Sequence, residues 1–358
     1  MSAPRLEINL ERIHHNARTL VDLLAPRGIS VTGVTKATLG SPAVASELVR
    51  AGVVSLGDSR IENLARLRVD GIDTPMMLIR SPMPSQCTTV VRVADLSLNS
   101  EMEVIRGLSA AAGEQGRTHG VVLMVELGDL REGILPGDLH NVARETLELA
   151  NITLRGIGTN LACQSGVAHD AQNMGELSAL ANRLETDFGI GLDIVSGGNS
   201  ANLDWALGAA ATGRINHLRL GESILLGREP LRRTPIDGLF TDAFTLVAEV
   251  IEAKVKPIHP WGEIYETAFG AASPPAPSSA NRVLVALGQQ DTDPAGLAPP
   301  GGFEIIGSGS DHVVLAAERP ETSVGSEVRF GVNYAALLRA ATSPFVERVF
   351  SHDLSAPE

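Results

Sequence analysis

The chain has 358 residues, 44% of them hydrophobic and 20% charged, and a formal net charge of −13. This length and balance allow one large domain and a smaller one and exclude a disordered chain, while the acidic charge argues against a nucleic-acid partner. No apolar run approaches the roughly 18 residues of a membrane span, and two cysteines, Cys87 and Cys163, make neither a disulfide framework nor a zinc site.

The opening stretch 1–10 carries charges within an apolar alternation and no signal-peptide core, so a cytosolic protein without a membrane partner is expected. A β-rich run at 29–35 is followed by a helical pattern at 42–51. Strand candidates then recur at 53–56, 75–79, 96–98, 120–127, 154–159, 192–195 and 215–220. Helical patterns follow them at 60–68, 85–93, 101–112, 138–150, 171–188, 202–211 and 223–226. Eight strands, nearly all with a helix behind them, predict a (β/α)8 barrel over 10–240. A doubly wound open sheet gives the same alternation, but no GxGxxG follows any strand, which weakens a dinucleotide fold.

Beyond about residue 241 the texture changes. Segments 245–255, 281–287, 304–306, 313–316 and 327–332 alternate as half-buried strands, separated by turn-rich stretches at 273–279 and 291–302. A smaller β-rich domain is expected over 241–358, with the strand at 4–9 available to join it.

Only three of the 29 basic residues are lysines: Lys36, Lys254 and Lys256. Lys36 ends the first barrel strand, in VTKATLG, where catalytic groups of such barrels sit. Unlike arginine, a lysine there can lose its proton and condense with an aldehyde, although position alone does not separate it from a surface lysine ending a strand. After the seventh and eighth strands come SGGNSAN (196–202) and RLGESI (219–224), glycine-containing loops that open helices. Loops in these two places frequently hold phosphate. Together with Lys36 they describe a site for a phosphorylated aldehyde.

The motifs LEINLERIHHN, VTKATLG and GDSRIENLARLR resemble the opening of the alanine-racemase-like, fold-type III enzymes that use pyridoxal 5′-phosphate (PLP). GTNLACQSGV, SGGNSANL, HLRLGESILLG, AFG, LGQQD and SGSDH narrow the resemblance to the alanine/ornithine racemase group over nearly the whole chain. It implies Lys36 as the Schiff-base lysine and the base on one face of the substrate Cα. It implies Arg131 near the cofactor phenolic oxygen and the substrate carboxylate, Arg219 facing the pyridine nitrogen, and Ser200, Gly221 and Ile224 as phosphate ligands. A guanidinium cannot hand that nitrogen a proton, so electron flow into the ring is curbed.

Racemisation needs a second base. Alanine racemases take a tyrosine from the partner subunit, which implies a homodimer, and Tyr265 in WGEIYETAFG lies in the corresponding segment; Tyr334 is read as packing. Asn160, in TNLA, replaces a histidine that packs against the ring, and a C-terminal tyrosine that touches phosphate has no counterpart in SPFVERVF. Asp311, in SGSDH, falls near the loop that closes the pocket, where a carboxylate suits the ammonium of ornithine or lysine. The function implied is racemisation of a basic amino acid or of alanine, with no metal.

Two other readings compete. A D-amino-acid aldolase or dehydratase shares the two-domain plan and uses C-terminal metal ligands; no cysteine follows Cys163, but His312 with Asp311 or His259 remains available. A non-catalytic PLP-binding homeostasis protein consists of a single barrel, whereas here over a hundred residues follow one.

Overall fold

The computed structural model describes residues 3–257, 260–266, 268–269, 281–318 and 322–352. His259 and the turn-rich stretch 273–279 lie outside the described residues. The chain divides into two compact units, Ile13–Thr241 and Met1–Arg12 with Asp242–Glu358.

In chain order, β1 (Arg5–Asn9) leads into α1 (Leu10–Leu24). The repeating part runs β2 (Ser30–Val34), α2 (Pro42–Arg50), β3 (Ser55–Asp58), α3 (Ile61–Val69), β4 (Met76–Leu78), α4 (Cys87–Val93) and β5 (Leu96–Asn99). It continues with α5 (Met102–Glu114), β6 (His119–Met124), α6 (Leu139–Leu147), β7 (Ile152–Gly158) and α7 (Ala171–Phe188). The last turns are β8 (Ile194–Ser196), α8 (Leu203–Leu207), β9 (His217–Leu220) and α9 (Glu222–Leu226). Strands β2 to β9 close a parallel barrel, as the alternation predicts, sealed where β9 pairs with β2 from Ser30–His217 to Gly33–Leu220. Most strand residues are buried because both faces of the sheet are covered. Met77, Leu96, Leu98, Val122 and Met124 form one buried cluster of this core.

Local chemistry sets the helix ends. Asp170 and Asn173 form a reciprocal capping box at the start of α7, and Gly189 closes its far end in a left-handed conformation. The helix expected at 202–211 is shorter than the pattern suggests. It stops at Leu207 because Gly208 turns extended. The strand expected at 120–127 ends at Met124, where Glu126 N donates to Ile134 O and Gly128 turns the chain at φ +122°.

The second unit is built on a mainly antiparallel sheet. Its strands are β10 (Phe244–Val255), β11 (Asn281–Val285), β12 (Leu297–Ala298), β13 (Phe303–Ser308), β14 (Val313–Ala317), β15 (Glu327–Val332) and β16 (Glu347–Ser351), with α10 (Tyr334–Thr342) before the last. The order is β12–β15–β10–β11–β14–β13; β1 pairs antiparallel with β10 and parallel with β16. Arg5 on β1 forks onto Glu327 at 2.5 and 2.7 Å and also pairs with Glu7. No helix among the described residues is long and apolar enough to cross a membrane.

Candidate active site

In a parallel barrel all strand C-termini open on one face, and here the chemistry-bearing residues follow contiguous strands. Lys36 follows β2, Arg131 lies in the loop after β6, Asn160 follows β7 and Ser200 follows β8. Arg219 is on β9, with Gly221 just beyond it. Gly221 packs against the end of β2 so closely that a Cβ on it would lie 3.1 Å from Val34 Cβ.

Lys36 sits in a short 3-10 turn, Lys36–Thr38. Its charge is felt by two carboxylates. Asp58 is fully buried and accepts from Thr35 Oγ1 (2.8 Å), Arg60 N (2.9 Å) and Asn63 Nδ2 (3.0 Å). Burial pushes the Asp58 carboxyl up, and these bonds and the Lys36 charge pull it back. Glu222 behaves alike, raised by burial and lowered by Arg233 and Lys36. Both lie in motifs quoted above, GDSRIEN and RLGESI, but their closeness to Lys36 follows from the register of β2, β3 and β9, not from spacing.

The loops after β8 and β9 meet at one oxygen. Gly221 N (3.3 Å), Ser223 N (3.2 Å) and Ser223 Oγ (2.9 Å) all donate to Ser200 Oγ. The first backbone bond of α9 runs from Leu225 N to Gly221 O, so the amides of Glu222, Ser223 and Ile224 lie ahead of that helix's own ladder. Ile224 is buried, and its carbonyl accepts from Asn16 Nδ2 at 2.9 Å. Ahead of Ser200, Gly198 is held at φ +118° beneath the buried ring of His169, where a Cβ would lie 2.5 Å from Nε2.

Arg219 is 4% exposed, and among the described residues no carboxylate pairs with it. Its Nη1 donates to Ser196 Oγ (2.5 Å), and its Nη2 to Thr159 O (2.8 Å) and Asn160 Oδ1 (3.4 Å). Burial lowers its pKa to about 10, which still leaves it charged at neutral pH. Asn160 Oδ1 also accepts from Asn199 Nδ2 (3.2 Å), whereas Asn160 Nδ2 is buried without a partner. Arg131 is half-exposed and forks onto Glu132, which with Cys163 raises its pKa. Cys163 is exposed, 3.4 Å from Asn199 Nδ2.

These groups fit PLP. Three donors crowd a neutral hydroxyl where a phosphate would offer them full charge, an orphaned amide follows β7, a guanidinium without a carboxylate partner among the described residues lies on β9, and a lysine follows β2, the strand that pairs with β9.

Tyr265 and Asp311 belong to the other unit. Tyr265 is 77% exposed in an irregular segment and donates to Glu263 Oε2 at 2.7 Å. Asp311 is exposed between β13 and β14, accepting from Gln290 Nε2 (2.5 Å) and Ser310 Oγ (2.8 Å). Among the described residues no group of three His, Cys, Asp or Glu side chains is arranged to hold a metal ion.

Residues 8–229 match the family model described as alanine racemase, N-terminal domain. The chain is 38% identical over 353 residues to a lysine racemase of Thermotoga maritima, covering 98% of this chain and 99% of that protein. It is 37% identical over 350 residues to an ornithine racemase of Acetoanaerobium sticklandii, covering 96% and 99%. Among solved structures, the alanine racemase of Streptomyces coelicolor superposes with a TM-score of 0.76 at 21% identity, covering 98% of each chain, and so shares the fold. With most of the barrel inside the family model and two relatives aligned almost end to end, the chain belongs to the alanine racemase family.

Proposed function

We propose that this chain is a PLP-dependent amino-acid racemase, an isomerase whose small-molecule substrate is a basic amino acid, ornithine or lysine, in preference to alanine. The observation that carries the proposal is the gathering of Lys36, Arg219 and the Ser200–Gly221–Ser223 donor cluster on the ends of three adjacent strands, β8, β9 and β2. The near full-length likeness to a lysine and an ornithine racemase supports the choice of substrate.

Bound PLP supplies an electron sink that acidifies the substrate's Cα–H bond. Ser200, Gly221 and Ile224, joined by Ser223, hold the phosphate. Arg219 would hold the ring nitrogen and, being unable to give up its proton at neutral pH, would keep that nitrogen unprotonated. Asn160, whose Nδ2 is buried without a partner, would offer the cofactor a hydrogen-bond donor. Arg131 orients the substrate carboxylate through a charge-assisted fork. Lys36 anchors the cofactor through Nζ and moves the proton on one face of Cα. Tyr265, supplied by the second copy in a homodimer, moves it on the other. Asp311 receives the side-chain ammonium, and the enzyme works in the cytoplasm.

The test is a panel of L- and D-ornithine, lysine and alanine in deuterated buffer. The proposal predicts Cα deuterium exchange with inversion, faster for the basic amino acids and insensitive to chelators. Cleavage or dehydration of hydroxy amino acids that a chelator abolishes would replace it with the aldolase or dehydratase reading. PLP binding without exchange in any amino acid would leave a non-catalytic PLP-binding protein.

A further inference from the structure

Behind Arg219 the barrel interior is polar. A chain of buried hydrogen bonds runs from Arg219 Nη1 to Ser196 Oγ (2.5 Å), to His217 Nδ1 (2.8 Å), and from His217 Nε2 to Thr32 Oγ1 (2.7 Å) and on to Ser55 Oγ (2.5 Å). It crosses four neighbouring strands, β8, β9, β2 and β3. His217 and Arg219 are two residues apart on β9, so both side chains point inward, one layer behind the other.

The polarity of this chain follows from its end. A guanidinium only donates, so Ser196 Oγ accepts from Arg219. Among the described residues the one acceptor that meets the Ser196 proton is His217 Nδ1. Nδ1 is therefore unprotonated, and Nε2 carries the hydrogen that Thr32 receives. The imidazole is thus neutral, and burial, followed by the Arg219 charge, holds its pKa near 3. Each hydrogen-bond partner of the guanidinium is neutral: Ser196, Thr159 O and Asn160. A carboxylate in this place would hold the guanidinium as firmly but would cancel its charge.

We propose that His217 is a positioning residue for the cofactor: through Ser196 it fixes the orientation of Arg219, and because it is neutral it leaves the Arg219 charge undivided for the cofactor ring. This rests on the PLP reading above. It extends the site inward by one layer, to residues that touch neither substrate nor cofactor.

The experiment compares holoenzyme carrying His217→Leu, Ser196→Ala or His217→Gln with wild type. The readouts are the visible absorption band of bound PLP, its dissociation constant by titration, and kcat and KM for ornithine. Gln keeps an acceptor for Ser196 and a donor for Thr32. His217→Leu and Ser196→Ala are each expected to shift the band, weaken PLP binding about tenfold and lower kcat about tenfold with little change in KM, the scale of one charge-assisted hydrogen bond. His217→Gln is expected to restore the band and bring binding back to within about threefold of wild type. An unchanged band and affinity in folded His217→Leu overturns the proposal. Should that variant fail to fold, Ser196→Ala decides by the same readouts. Wild type that binds no PLP would sink the underlying reading instead, and the two failures are thereby distinct.

Discussion

Replacing Ser200 with Ala removes the oxygen on which three donors converge, and its effects on stability and on cofactor affinity are expected to diverge. In protein stripped of PLP, Ser223 N is buried and loses its acceptor outright, Gly221 N loses a longer bond, and Ser223 Oγ is free to rotate elsewhere. A buried donor left unpaired costs about 1–3 kcal/mol. Counting Ser223 N in full and Gly221 N in part, the stripped variant loses about 2 kcal/mol. Its Tm falls by about 4–8 °C, at roughly 2–4 °C per kcal/mol for a unit of this size. PLP binding feels two opposed effects. The phosphate loses one hydroxyl donor, worth about 1.5–3 kcal/mol for a charged acceptor. It also regains the roughly 2 kcal/mol by accepting from the stranded amides. The dissociation constant therefore rises less than about tenfold. Calorimetry of the stripped protein and a fluorescence titration with PLP measure both quantities. An unchanged Tm together with a rise in dissociation constant beyond about thirtyfold would refute the reasoning, since the donors would then not depend on Ser200.

Three further outcomes follow from particular side chains. His119 is buried against Ser97 Oγ (2.8 Å), and burial drops its pKa to about 4. The unfolded chain takes up a proton as pH falls from about 6.5 to 4 while the folded one does not, so stability is lost on acidification through that window. By pH 4.5 the share of His119 is about 2–3 kcal/mol, and His119→Gln should reduce the loss of unfolding free energy, read from urea melts, between pH 7.5 and 4.5 by that amount; an equal loss in both proteins would contradict it. Tyr265→Phe should leave Cα deuterium exchange of one enantiomer largely intact while slowing inversion at least about a hundredfold; inversion at the wild-type rate would make Tyr265 a packing residue. Asp311→Ala should cut the preference for ornithine over alanine about tenfold, and an unchanged preference would remove Asp311 from the substrate site.

The barrel was legible because short strand patterns alternate with helical ones eight times, and α7 announces both its ends with Asp170 and Gly189. The edges of the second unit were not. β16 is exposed along most of its length, so it has no apolar alternation to read, and its partner β1 stands at the other end of the chain. α10 carried a signal that goes unread in a search for strands: Asn333 accepts from Ala336 N ahead of an alanine-rich run. At the site, Lys36, Ser200 and Arg219 could be named from strand-end motifs. Ser196, His217 and Thr32 could not be joined to them, because only barrel closure between β9 and β2 carries the hydrogen-bond chain across to Thr32. Asp58 was hidden for the same reason, as a carboxylate near Lys36 through strand pairing.

The most direct test of the central claim uses the scarcity of lysine in this chain. Protein incubated with PLP is reduced with borohydride, digested and mapped by mass spectrometry. Three lysines are available, Lys36, Lys254 and Lys256. The account predicts one pyridoxyl adduct, on the peptide containing Lys36, and its absence in Lys36→Ala together with loss of Cα exchange. An adduct on Lys254 or Lys256 with Lys36 unmodified, or Lys36→Ala protein that still racemises ornithine, would contradict it.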